Sequence, residues 1–191
     1  MNEKFLSIPV YHGILLVLSY LFTLRYRLFM GDRVIFGKNF ITNWKIQIKG
    51  KGKVIFGDNI LAWAHKEANN FFTFDSDAEI QIGNNCRLNG FTCQAKNRIE
   101  IGNNCILGST LIVDTDFHST ASDRMTNPKA EIKASPITVD NNVWIAGNSA
   151  ILKGVHIGEG SIVGYASIVR EDIPPNVLVI GNPAQIIKNL D

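Results

Sequence analysis

Histidine is the side chain best placed to move a proton near neutral pH, and this chain has four: His12, His65, His118 and His156. His118 closes the run Asp114-Thr115-Asp116-Phe117-His118. A polar stretch follows, with Ser119, Ser122, Asp123, Arg124, Asn127, Lys129 and Glu131. A histidine in such a setting can take a proton as general base and return it as acid, and Asp116 could orient it or accept from a hydroxyl. The other three suggest less chemistry. His156 follows an inward-type Val155 and is expected to point outward, His65 takes an inward-type position, and His12 lies in an apolar run. No two histidines are spaced as a three-histidine zinc site would require. The three cysteines are irregularly spaced, with no CxxC pair, so neither a metal site nor a disulfide framework is expected. That favours a reducing compartment.

The elements that must position these residues are set by a period of six. Val139, Ile145, Ile151, Ile157, Val163 and Val169 follow one another at that step. Four residues after each stands a second set of small or medium side chains: Val143, Ser149, Val155, Ser161, Ser167 and Ile173. The same step joins Ile101, Leu107 and Val113, and Ile82 to Leu88. A helix repeats its apolar positions at three and four, and a strand at two. A pure six fits a short strand plus a turn, with one large and one small residue pointing inward on each side. Three sides of six, about 18 residues, make one coil of a triangular solenoid.

A second recurrence supports that coil length. Ile-x-Ile/Val-Gly/Asp-Asn-Asn occurs at Ile80–Asn85, Ile99–Asn104 and Ile137–Asn142, at spacings of 19 and then 38 residues. The longer spacing implies an inserted polar loop over about 114–136, and long loops on rigid scaffolds commonly carry function. Cys86 and Cys105 take the inward second position of their hexads and are expected in the core.

The run Pro136-Ile137-Thr138-Val139-Asp140-Asn141-Asn142-Val143-Trp144-Ile145-Ala146-Gly147 resembles the signature of the hexapeptide-repeat O-acetyltransferases. That family includes maltose and galactoside acetyltransferases and enzymes that O-acetylate capsule and lipopolysaccharide sugars. The resemblance continues through Lys153–Gly158, Val163–Ser167, Asp172–Asn176 and Gly181–Ala184, covering roughly residues 80–188. It implies a left-handed parallel β-helix, a homotrimer with active sites between subunits, and transfer from acetyl-coenzyme A to a sugar hydroxyl. It also implies that His118 is the general base, assisted by Asp116, and that Asn89 and Arg124 contact the acceptor. Trp144, expected on the outer surface, would touch sugar or cofactor. Ala146, Gly147, Gly164, Tyr165 and Ala166 would line the pantetheine arm; the family residues that hold coenzyme A phosphates are replaced in this chain, and Arg170 or Lys188 would compensate. The chain departs from the pattern at Arg170-Glu171, Gln185 and Tyr165. Amino-sugar N-acyltransferases and xenobiotic acetyltransferases share the solenoid, and a non-catalytic scaffold is the reading from a different class.

Composition bounds these readings. The chain has 191 residues, 46% hydrophobic and 19% charged, with a formal net charge of +2. That is one globular domain's worth of chain, and it carries no basic, aromatic-studded surface for nucleic acid. The expected organisation is an apolar helical segment over 1–30 and a β-helix over 31–188, with a C-terminal tail over 174–191. From Phe5 to Leu24 no residue carries a formal charge, and Arg25, Arg27, Arg33 and Lys38 follow. The expectation is first a helix covering the open end of the solenoid, then an interfacial membrane helix through residues 5–24, then a span. Together with the resemblance this implies a cytoplasmic protein that can meet the inner face of the membrane, working in cell-envelope polysaccharide modification.

Overall fold

The computed structural model describes residues 9–190. Helix α1 (Pro9–Phe29) leads through a 3-10 turn (Gly31–Arg33) into a three-sided solenoid. Its first coil holds β1 (Val34–Phe36), β2 (Ile41–Thr42) and β3 (Ile46–Gly50). The second holds β4 (Lys53–Phe56), β5 (Leu61–Ala62) and β6 (Asn69–Thr73), and the third β7 (Glu79–Ile82), β8 (Arg87–Leu88) and β9 (Thr92–Ala95). The fourth holds β10 (Arg98–Ile101), β11 (Ile106–Leu107) and β12 (Leu111–Val113), and the fifth β13 (Ile137–Val139), β14 (Trp144–Ile145) and β15 (Ala150–Ile151). The sixth is β16 (His156–Ile157), β17 (Ile162–Val163) and β18 (Ile168–Val169). A part-coil ends in β19 (Val177–Gly181), which turns back antiparallel as β20 (Ala184–Asn189).

Equivalent strands stack in register as three parallel sheets. Sheet I is β1-β4-β7-β10-β13-β16, sheet II is β2-β5-β8-β11-β14-β17-β19-β20, and sheet III is β3-β6-β9-β12-β15-β18. The six-residue aliphatic series is the interior column: Val139, Ile145, Ile151, Ile157, Val163 and Val169 are all buried. Toward the N-terminal end the interior turns aromatic, with Phe36, Phe40, Phe56, Phe71 and Phe91 in edge or stacked contact at centroid distances of 4.8–5.8 Å. Buried hydroxyls at small inward positions are satisfied locally. Ser149 donates to the Gly164 carbonyl at 2.9 Å and Ser161 to that of Pro174 at 2.7 Å. Cys86, Cys93 and Cys105 are free and buried, and burial pushes the Cys93 thiol well up, so it stays protonated.

The corner between sheets I and II explains the recurring Asn-Asn pair. Asn39, Asn59, Asn85, Asn104 and Asn142 all take the left-handed conformation, φ 55–60°, which asparagine tolerates better than other residues with a Cβ. Their carboxamides form a ladder: Asn39 to Asn59 at 2.9 Å, Asn59 to Asn85 at 3.0 Å, Asn85 to Asn104 at 3.2 Å. The preceding residue caps the neighbouring coil. Asn103 Oδ1 accepts from the Asn84 N–H at 2.7 Å, and Asn141 Oδ1 from the Asn103 N–H at 2.8 Å.

Helix α1 lies against the first coil, and it does so by a polar face rather than an apolar one. The side chains it buries fully are Ser19, Thr23 and Tyr26. Ser19 Oγ accepts from the Thr42 N–H at 2.9 Å, and Tyr26 Oη donates to the Ile46 carbonyl at 2.9 Å. The open end of a parallel sheet offers unpaired backbone polar groups, so polar side chains suit it better than an apolar lid. No helix among the described residues is long and apolar enough to cross a membrane.

Candidate active site

The inserted loop leaves sheet III after Val113 and rejoins sheet I at Ile137. Its neck is pinched shut. Thr115 bridges Ala134 in antiparallel fashion, Asp116 N–H donates to the Lys133 carbonyl at 3.0 Å, and Ser135 N–H to that of Asp114 at 2.9 Å. Asp114 anchors the neck from inside. Its buried carboxylate accepts from the Lys96 and Asn97 N–H groups of the preceding coil, both at 2.7 Å. Burial pushes its pKa up, an effect those two amides oppose.

On this neck sits His118. Its N–H donates to the Asp116 carbonyl at 2.7 Å across Phe117, which has φ +61°. An i→i+2 bond around a residue of positive φ is the pattern of a γ-turn, a rare and strained arrangement for a bulky side chain. The strain is held in place from two sides. The Phe117 ring packs edge-on against Phe74 at 5.5 Å, and its N–H donates to Thr115 Oγ1 at 3.3 Å. The result is an exposed His118 whose imidazole has no hydrogen-bond partner among the described residues. Asp116 does not orient that ring. Its carboxylate pairs with Lys153 of the next coil at 2.6 Å, tying the loop to the solenoid.

His118, Asp116 and Arg124 line one recess of about 850 Å³, together with Thr120, Met125, Asn127 and Ile132. The Arg124 guanidinium donates to the Ala121 carbonyl at 3.2 Å rather than pairing with Asp123, whose carboxylate accepts from Asn127 at 2.9 Å. A second groove, about 340 Å³, runs along the outside of sheet II to its corner with sheet III. Its lining includes Trp63, His65, Arg87, Asn89, Ile106, Trp144, Ala146 and Gly147. Trp144 is 47% exposed and stacks between Ile106 and Ile162 in register. Asn89 uses its carboxamide oxygen to hold the His65 N–H at 3.0 Å. His65 is therefore exposed at a turn rather than inward: its hexad breaks after Ala64 to make a longer corner.

The remaining predicted residues divide between edges of the prism. Gly147, Gly164, Tyr165 and Ala166 sit at the sheet II–III corner, where Tyr165 is exposed and its hydroxyl meets Asn148 Nδ2. The Gly147 Cα lies 3.1 Å from where a Cβ at Gly108 would stand, so this strip stays flat. Arg170 follows β18 at the loop-bearing corner, and Lys188 lies in β20, paired with Leu178. One chain thus gathers His118, Asp116 and Arg124 on one edge and Asn89, Trp144, Ala146 and Gly147 on another, and does not bring the two sets together. His156 is an exposed surface residue paired with Asp140 at 3.0 Å. Lys153, Thr115 and Phe117 were not anticipated as parts of the site. For Lys153 a signal existed: it stands one regular coil beyond the loop's end, at the same corner.

No family model matches the chain. The galactoside O-acetyltransferase of Escherichia coli K12 is 46% identical over 61 residues, 32% of this chain and 30% of that one. The chain thus spans under a third of the length of the curated relatives it matches. A crystal structure of a polysialic acid O-acetyltransferase superposes with TM-score 0.64 and 26% identity, covering 82% of this chain and 74% of that one. A hexapeptide-repeat acetyltransferase of Vibrio cholerae, also solved with acetyl-coenzyme A, is 23% identical with TM-score 0.59 over 100% of this chain and 99% of its own. The chain shares the β-solenoid fold of these hexapeptide-repeat acetyltransferases, and its sequence resembles the galactoside enzyme's over the matched third.

Proposed function

We propose that this protein transfers an acetyl group from acetyl-coenzyme A to a hydroxyl of a sugar, with His118 as the proton carrier. The observation that carries this reading is the strained turn that holds an exposed, unpartnered imidazole over a polar recess. In that role His118 removes the acceptor hydroxyl proton as the oxygen attacks the thioester carbonyl. It then delivers the proton to the departing sulfur. The Gly147 or Tyr165 N–H of the small-residue strip would stabilise the tetrahedral oxyanion, since the Ala146, Gly164 and Ala166 N–H groups donate to neighbouring coils. Asp116 acts as a positioning residue: its ion pair with Lys153 fixes the turn that presents His118. Asn89, Arg124 and Trp144 are the acceptor contacts. The pantetheine arm follows Gly147, Gly164, Tyr165 and Ala166, with Arg170 and Lys188 toward the phosphates.

The separation of the two residue sets on different edges supports a homotrimer. In it the loop of one copy would close over the groove of its neighbour and bring His118 to Trp144 and Asn89. The activities of the galactoside and polysialic acid O-acetyltransferases support a sugar acceptor, in keeping with a role in cell-envelope polysaccharide modification. The test is thiol release from acetyl-coenzyme A with a panel of envelope-type sugars. Acceptor-dependent release that falls at least a hundredfold in His118→Ala is the expected result. Equal release by the two proteins would remove His118 from its role.

A further inference from the structure

Helix α1 is amphipathic in the opposite sense to a helix that covers a core. Its fully buried side chains are Ser19, Thr23 and Tyr26, while Ile14, Val17, Leu18, Leu21, Leu28 and Phe29 are exposed, Phe29 at 83%. At 100° per residue those six fall on one side of the helix, and the one charge among them is Arg25. A single-copy soluble protein rarely leaves so many large apolar side chains together in water. The hydrogen bonds of Ser19 to Thr42 and of Tyr26 to Ile46 keep the helix from rolling over to hide them.

Charge indicates what covers this face. Residues 9–57 contain eight Lys or Arg and one acid, Asp32, whereas residues 58–191 contain ten Lys or Arg and fifteen acids. The near-neutral whole is therefore a polarised prism with its positive pole at the α1 end. A groove of about 370 Å³ opens there between the last turn of α1 and β3. Its floor is Tyr26, Phe29, Met30 and Ile48, and Arg25 and Lys49 flank it. Trp44, 69% exposed, stands two residues beyond Thr42 on the same first coil. An apolar stripe edged by cations and aromatic side chains matches the boundary between headgroups and acyl chains of a bilayer. Two assemblies set pole to pole would bring like charges face to face, whereas an anionic surface pairs with all of them.

We infer that α1 lies in the plane of an anionic lipid bilayer, its Ile14–Phe29 face in the acyl boundary, and carries the solenoid on the membrane surface. This inference is independent of the acyl-transfer reading, since docking needs no catalysis.

The test is co-sedimentation of the full chain with sucrose-loaded vesicles of phosphatidylcholine alone or with 30% phosphatidylglycerol, roughly the anionic load that gives polybasic segments their affinity. Wild type is expected to pellet with the mixed vesicles and to bind pure phosphatidylcholine at least about tenfold more weakly. Leu18→Asp and Leu21→Asp should each lower partitioning about tenfold, with the circular dichroism spectrum unchanged. Lys49→Gln with Lys51→Gln, which leaves the helix untouched, should lower it several-fold. Equal binding to both vesicle types would overturn the anionic surface as occupant. Wild type remaining in the supernatant with both would overturn docking itself. If light scattering then showed lipid-free wild type at twice the mass of Leu21→Asp, a second copy would be the cover.

Discussion

Two corners of the same prism are built from the same backbone and treated in opposite ways. At the sheet I–II corner each of the first five coils places an asparagine at φ 55–60°. The side chains of Asn39, Asn59 and Asn85 each reach the asparagine one coil on, although these stand 20, 26 and 19 residues apart, so the ladder keeps this corner in register while extra length is taken up elsewhere. At the sheet III–I corner no such ladder exists among the described residues. Gly50 turns with φ +119°, residues 74–78 bulge, Lys96 and Asn97 lean on Asp114, and Gly154 turns with φ +81°. That corner is held by bonds particular to each pair of adjacent coils rather than by one repeated pair, so it opens over 114–136 independently of the ladder, with no buried side-chain polar group among the described residues left unpaired. The chain can hold a strained turn such as Phe117 there because the corners around it stay rigid.

Excising the loop is the hardest test of this independence and carries the largest expected effect. Removing residues 117–132, so that Asp116 and Lys133 are joined by a two-glycine turn, should abolish acetyl transfer. The antiparallel neck should survive, and the midpoint of thermal unfolding should stay within about 4 °C of wild type, the change expected of about 1 kcal/mol in a chain of this size. A collapse of the melting transition would show that the loop supports the solenoid and would break the comparison. Next in size is the strap between loop and prism. Lys153→Met should lower kcat about tenfold or more by releasing Asp116 and the turn before His118. Because both side chains are partly exposed, stability should fall by less than about 1 kcal/mol. A change confined to KM would mean that Lys153 binds substrate rather than positions the turn.

What was legible in the sequence follows the same division. The solenoid could be read because its interior column and its Asn corners each recur at a fixed step, and a period is visible without any partner in space. The loop's position could be read from the 38-residue gap between Asn-Asn phrases. The pairing of Asp116 with Lys153 was only half legible: Lys153 stands one regular coil beyond the loop's end, but the loop puts 37 residues between the partners and hides which of its acids faces that corner. The face that α1 turns to the solenoid was not read from the sequence, for a different reason. Hydrophobicity alone gives a helix a buried side, whereas Ser19, Thr23 and Tyr26 are drawn inward by the open backbone groups of the first coil. His65 was misplaced because the hexad frame was extended through a corner that breaks it.

Smaller effects test the ladder corner. Asn104→Ala forces a Cβ residue with no local polar group into the left-handed region, which costs about 1–2 kcal/mol, and it removes a solvent-exposed ladder bond. Asn104→Gly keeps the backbone conformation and loses only the bond, so it should cost less than half as much. Urea unfolding of the two variants separates backbone from ladder. Transfer activity should be untouched in both, and loss of activity at this distant corner would mean that the two corners are coupled.

The smallest expected effect concerns the residue that joins the loop neck to the ladder-free corner. Asp114 has its pKa raised by burial although two backbone N–H groups favour its charged form. A carboxyl whose folded value lies above its unfolded one takes up a proton more readily in the native state. Its stabilising contribution is complete below the ordinary carboxylate range, near pH 3.9, and is lost as pH rises through the raised folded value. Asp114→Asn removes that titration and adds a pH-independent loss, because one of the two amides then faces an NH2 group. The difference in unfolding free energy, wild type minus Asp114→Asn, should therefore grow as pH falls from 7 toward 4. A difference that instead shrank on acidification would mean that the amides of Lys96 and Asn97 outweigh burial. The neck would then be held by the Asp114 charge, and the loop-bearing corner would be weakest in acid.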